Sequence, residues 1–117
     1  MSAFYWVERT GVAPDRDKSV WGTDKTVWAD ASPAHHLRKD TPPMLVLYAD
    51  GDEEWRRQQN TEMVQVLKGA GAARVDIAQI AGRTHNTIWS KVAEPNDEAA
   101  ERIIQFVRAN TTNRGSR

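Results

Sequence analysis

The sequence predicts an α/β domain, and three stretches carry that prediction. Residues 44–49 (MLVLYA) form a continuous apolar run, bounded by Pro42-Pro43 before it and Asp50-Gly51-Asp52 after it. Such a run suits a strand buried on both faces, as in a parallel sheet, and the flanking prolines and Asp/Gly argue against a helix. Residues 53–70 place Met63, Val66, Leu67 and Ala70 at i, i+3, i+4 and i+7, with Arg56, Arg57, Gln58 and Glu62 assigned to the outer face of an amphipathic helix. Residues 73–80 (ARVDIAQI) interleave Val75, Ile77 and Ile80 with Arg74, Asp76 and Gln79, the pattern of a partly covered strand near a sheet edge. Strand, helix and strand with short connections make a βαβ unit, and the right-handed crossover rule makes its two strands parallel.

The other elements follow from local signals. Residues 1–41 show no sustained period and read as an irregular cap or connecting segment. Within them, Ala3-Phe4-Tyr5-Trp6-Val7 suits a strand end. Gly11, Pro14, Gly22 and Pro33 punctuate the segment, and Trp21 and Trp28 stand as isolated anchors. Residues 27–31 suit a short helical turn closed by Ser32-Pro33, because a residue before proline avoids the helical region. Gly69 and Gly71 stop the long helix. After the loop at 81–96, either Asn96 or Asp97 caps a last helix at 97–109, with Ala100, Ile103, Ile104 and Val107 as its apolar stripe and Phe106 widening it. The chain thus divides into 1–41, a βαβα unit at 42–110 and a flexible tail at 111–117.

Composition narrows the function. The 117 residues hold 16 basic and 16 acidic side chains, so no net field steers the chain to nucleic acid or to an anionic membrane. The absence of cysteine excludes disulfides, thiol chemistry and Cys-ligated zinc. No apolar window is long enough to span a bilayer and no secretion signal opens the chain, which leads to the expectation of a cytoplasmic protein. Asn110-Thr111-Thr112 has the form of a glycosylation sequon, read here as polar tail.

In a parallel sheet, ligands and catalytic groups collect at the carboxyl ends of the strands. Asp50 and Asp52 leave the first strand and His85, in Gly82-Arg83-Thr84-His85, leaves the second. Neighbouring strands lie about 4.8 Å apart, so a carboxylate on one exit can hold an imidazole on the other in one tautomer and stabilise its protonated form. The same spacing also suits an ordinary turn and an ordinary loop histidine. Asp50 with Asp52, or His35-His36 with a carboxylate, are the alternatives for a metal, but no further ligand stands at motif spacing. No metal and no cofactor are expected.

These residues carry a resemblance. Ala31-Ser32-Pro33-Ala34-His35-His36-Leu37, then Pro42 to Asp52, then Gln58-Gln59, then Gly82-Arg83-Thr84-His85, resemble in order and spacing the C-terminal part of the α/β-hydrolase superfamily, in its carboxylesterase/lipase and arylformamidase-like branch. The resemblance covers roughly residues 20 to 110 and implies a partial α/β-hydrolase fold. It implies Asp52 as the triad acid, with Asp50 as second choice, and His85 as the general base. Trp55, Arg83, Asn86 and Ile88 would line the neighbourhood, and Trp21 to Trp28 would match an excursion that shapes the acyl or alcohol pocket. The family's G-x-S-x-G nucleophile turn has no counterpart here: Ser2, Ser19, Ser32, Ser90 and Ser116 all lack the flanking glycines, and no Gly-rich oxyanion loop is present. The expectation is therefore a C-terminal portion of a serine carboxylic-ester hydrolase, inactive alone, that meets a small ester or amide only beside a complementing half. The alternative is a non-catalytic binding or dimerisation module. On either reading the open edge of the strand at 44–49 is expected to self-associate or to pair with another chain.

Overall fold

Residues 3–9 and 14–111 are described by the computed structural model of the chain. Gly11, the residues beyond Thr111, Ser2 and Ser116 lie outside the described residues, and with them the last residue of the sequon and all of the predicted tail but Thr111, which ends the last helix. The elements run from a 3-10 turn at Val7–Arg9 through helix α1 (Pro14–Trp21), helix α2 (Lys25–Asp30) and a 3-10 turn at Pro33–His36 to strand β1 (Met44–Ala49). Helix α3 (Glu54–Gly69), strand β2 (Val75–Ile80), helix α4 (Thr87–Ser90) and helix α5 (Glu98–Thr111) complete the order. This is a small α/β domain with an irregular N-terminal segment, and its arrangement is part of an α/β-hydrolase fold.

β1 and β2 pair in parallel, with Met44 opposite Val75 and Ala49 opposite Ile80. The face bearing Val46 and Val75 packs against Met63, Val64 and Leu67 of α3, with Trp6 closing the cluster. Leu47, Ala49 and Ile80 face the other way, against Ile88 of α4 and Ala99 of α5. The apolar run at 44–49 is thus covered on both faces, as its composition requires. The amides of Met44 and Asp50 donate to Arg74 O and Ile80 O, so in a parallel ladder the alternate residues Leu45, Leu47 and Ala49 turn theirs to the outer edge. No strand pairs there among the described residues.

Several local expectations change. Ala3 to Trp6 form no strand; the segment runs along α3 into the 3-10 turn, with its backbone held by side chains. Residues 14–30 carry two short helices where only the turn near 27–31 was expected. The buried stripe of α3 is Arg56, Gln59, Asn60, Met63, Val64 and Leu67, while Val66 is exposed. Arg56 therefore lies inside, not on the outer face. The stripe keeps helical spacing, but its first half is polar because it meets backbone and a carboxylate rather than apolar side chains. Ile77, Ile104 and Val107 are exposed as well, since nothing in the described chain lies over them.

The helix stops have clear causes. Gly71 takes φ +92°, while its amide donates to Lys68 O and that of Ala72 to Leu67 O, a Schellman closure of α3. Gly69 is still within the helix. Of the two candidate caps for α5, Asp97 does the capping: its Oδ2 accepts from the Ala100 amide at 2.9 Å. Asn96 instead supplies a left-handed residue, φ 61°, before it.

Candidate functional site

The two strand exits meet. Asp52 lies in the turn between β1 and α3, and its Oδ2 accepts from the Ala49 amide at 2.8 Å. That amide belongs to the outer edge of β1, so the carboxylate occupies a place a further strand would otherwise contact. Its Oδ1 lies 3.4 Å from His85 Nδ1, with the Asp52 side chain fully buried and that of His85 49 % exposed. The imidazole thus turns Nδ1 toward the carboxylate and leaves Nε2 at the open side, the orientation a general base needs. Arg56, one helical turn after Asp52 and also buried, brings Nε to 3.8 Å from the same Oδ1.

Asp50 has a different place. Its carboxylate accepts from the Gly82 and Arg83 amides at 3.0 and 3.2 Å. The Gly82 amide, ahead of the others, holds the Asp50 carboxyl below the usual carboxylate range. The contact pins the loop that carries His85 to the end of β1. Between the two aspartates, Gly51 donates its amide to Arg83 O at 2.9 Å, and a Cβ on Gly51 would stand 2.6 Å from that carbonyl oxygen. Only glycine allows this approach. Gly82, at φ +69°, turns the chain out of β2 toward it.

The histidine loop is anchored on its other side too. Thr84 and Thr87 exchange bonds, the Thr84 amide donating to Thr87 Oγ1 at 2.7 Å and the Thr87 amide to Thr84 Oγ1 at 3.2 Å, so His85 sits inside a reciprocal cap. Arg83 Nη2 reaches Oδ1 of buried Asp97 at 3.1 Å. Ile88, fully buried, plugs the loop into the core beneath.

The remaining predicted residues have partners or exposure of their own. Trp55 donates from Nε1 to Glu53 at 2.6 Å, and Asn86 is exposed at the start of α4. Trp28 is buried and donates from Nε1 to Gly22 O at 3.0 Å, with Lys25 Nζ over its ring. His35 meets Glu8 and His36 meets Asp30, and among the described residues no group of three metal-ligating side chains forms. Ser32 is buried, bonded to Glu8 and Trp28 O, and Ser19 is bonded to Asp15 O. A groove of about 490 Å³ lies beside the amino-terminal halves of the strands, between Arg74, Val75 and Ile77 of the β2 region and Arg102, Gln105 and Phe106 of α5. It touches neither Asp52 nor His85.

Sequence reasoning set Arg56 on the outer face and gave Gln59 no partner, whereas both are buried. The signal for Arg56 was present as a carboxylate followed four residues later by a guanidinium, the i,i+4 spacing at which helical ion pairs form.

An acid and a histidine stand at adjacent exits of parallel strands, on an arrangement that matches part of an α/β-hydrolase fold. Comparison with solved structures bears on the fold. An esterase of Thermogutta terrifontis, esterase 2, in a form phosphoramylated by tabun, matches at a TM-score of 0.62 and 20 % identity over 95 % of this chain and 38 % of that one. Its propionate-bound form matches at 0.62 and 18 % identity, over 96 % and 40 % of the two chains. The apo form gives 0.61 and 22 % identity over 92 % and 38 %. The chain therefore spans about two-fifths of the length of the esterase it resembles, and the likeness is one of fold. No protein-family model and no curated protein sequence matches it. No helix among the described residues is long and apolar enough to cross a membrane.

Proposed function

We propose that this chain is the C-terminal portion of a serine carboxylic-ester hydrolase, in which Asp52 is the triad acid and His85 the general base. The observation that carries this reading is the contact of His85 Nδ1 with buried Asp52 at adjacent strand exits. The serine and the oxyanion donors come from residues outside this sequence, because no G-x-S-x-G turn is present within it. In the assembled site, Nε2 of His85 takes the serine proton as Oγ attacks the carbonyl carbon, then returns it to the leaving alcohol or amine. Asp52 fixes the imidazole and stabilises its charged form. The substrate class is a small ester or amide. Alone the chain is idle, since the members of a triad act as a unit.

The complementing half docks on the outer edge of β1, where Leu45 and Leu47 turn their amides away from β2. The decisive experiment compares the 117-residue chain with one extended through its upstream reading frame, on a short p-nitrophenyl ester. The extended chain turns over and loses turnover with His85→Ala, while the short chain stays at the buffer rate. Turnover by the short chain that His85→Ala abolishes overturns its idleness. An extended chain with a G-x-S-x-G turn and no turnover overturns the hydrolase reading.

A second reading has its own observation. The open edge of β1 and the exposed Ile77, Ile104 and Val107 fit a module that dimerises or binds another chain. Sedimentation discriminates, because a monomer at all concentrations removes it.

A further inference from the structure

We infer that Arg56 is a positioning residue of this site, one whose buried guanidinium shares the Asp52 carboxylate with His85 and so relieves the pull of that carboxylate for a proton on the imidazole. The inference deepens the hydrolase reading and rests on it. Among the described residues, the Ala49 amide, His85 and Arg56 all meet the Asp52 carboxylate. The Ala49 amide takes Oδ2, and Oδ1 faces both His85 Nδ1 at 3.4 Å and Arg56 Nε at 3.8 Å. The Asp52 side chain is fully buried and Arg56 nearly so, whereas the imidazole is half in water.

A carboxylate withdrawn from water beside a neutral imidazole is undercompensated, and drawing a proton onto the ring is the cheapest remedy. A ring already protonated cannot act as a base. A permanent cation on the same oxygen removes that pull, because arginine stays charged where histidine does not. Burial pushes the Arg56 guanidinium down from its ordinary value, the Asp52 and Glu53 carboxylates push it back up, and Arg16 pushes it down again.

The other charged groups near the site are engaged. Asp50 holds the Gly82 and Arg83 amides, and Arg83 is paired with Asp97 of the α5 cap. Glu53, in the turn before α3, accepts from Trp55, and Arg16 of α1 is paired with Asp17.

The test is made on the chain itself and needs neither substrate nor nucleophile. The chain has three histidines, so ¹⁵N-histidine labelling gives three ring patterns, and His85→Gln identifies the one of interest. The unmodified chain at neutral pH gives the His85 ring pattern against which the variants are read. Arg56→Met raises the ratio of charged to neutral ring by about three- to tenfold, a modest range because His85 is half exposed to water. Arg56→Lys restores the original pattern. Should Arg56→Met fail to fold by circular dichroism, Arg56→Gln keeps a donor without the charge and carries the same expectation. A folded Met or Gln variant with an unchanged His85 pattern overturns the inference. Asp52→Asn separates this failure from that of the underlying reading. If Asp52→Asn leaves the ring unchanged, the acid–histidine pair is itself absent; if it alters the ring while Arg56→Met does not, only the role of Arg56 falls.

Discussion

The N-terminal segment, residues 3–9 and 14–36, and the βαβα unit, residues 44–111, are held by different balances of forces. The βαβα unit buries Leu47, Ala49, Ile80, Ile88 and Ala99 in one cluster and Val46, Met63, Val64, Leu67 and Val75 in another. The segment contributes Trp6 to the second of these, with Tyr5 and Ala34 packed against it, and is further fastened by polar side chains acting on its backbone. Gln59 accepts from the Tyr5 and Trp6 amides and donates to Trp6 O. Asn60 donates to Ala3 O, and Ser32 Oγ accepts from the Val7 amide. Irregular backbone has no ladder to satisfy it, so buried amides find side chains instead. Apolar packing fixes the sheet and helices as a unit; the cap adds to its fewer apolar contacts a set of directional bonds that single substitutions can cut.

The largest effect tests the packed side. Leu47→Ala leaves a cavity in a site 2 % exposed, and costs about 2 to 5 kcal/mol in urea unfolding, lowering protection throughout β1, β2 and α5. On the cap side, Gln59→Ala orphans the Tyr5 and Trp6 amides and costs about 1 to 3 kcal/mol, with amide exchange rising at 3–9 while β1 stays protected. Uniform loss of protection would erase the distinction between the two regions.

A third substitution sits where the strands end. Gly51→Ala drives a Cβ against Arg83 O and costs about 1 to 3 kcal/mol, read as a lower Tm together with a shifted His85 ring signal. A lower Tm with an unmoved signal would show that the aspartate turn and the histidine loop are independent.

The smallest effect depends on pH. The folded Asp50 carboxyl is held below its ordinary value by the Gly82 amide. A depressed carboxyl contributes stability that is complete above the unfolded pKa and disappears as pH falls through the lower folded value. Asp50→Asn therefore unfolds earlier than the parent chain at neutral pH, and the two melting curves converge in acid. A gap that persists in acid would refute the latch. Glu8 gives a cap-side counterpart: partial burial raises its carboxyl, but bonds from Ser32 and His35 outweigh this and lower it.

The contrast between the regions also explains what the sequence revealed. Period and composition made the βαβα unit readable: the strand at 44–49, the long helix and the last helix stand within a residue or two of their expected bounds. Asp52 and His85 were legible because topology places strand exits side by side. Arg56, Gln59 and Asn60 were not. A polar residue in a helix reads as outward unless its partner is known, and those partners lie 53 to 57 residues away for Gln59 and Asn60. Likewise Ile104 and Val107 fit an inward stripe, yet nothing in these residues covers them.

One carboxylate ties the last helix to the chemistry. Asp97 caps α5 through one oxygen and holds Arg83 through the other. The first turn of α5 and the histidine loop should therefore open and close in one step, as a single foldon in amide exchange, with equal protection energies at Ala100 and at Arg83. Whatever ligand steadies one would slow exchange at the other, across the gap of 14 residues that separates Arg83 from Asp97 in the chain.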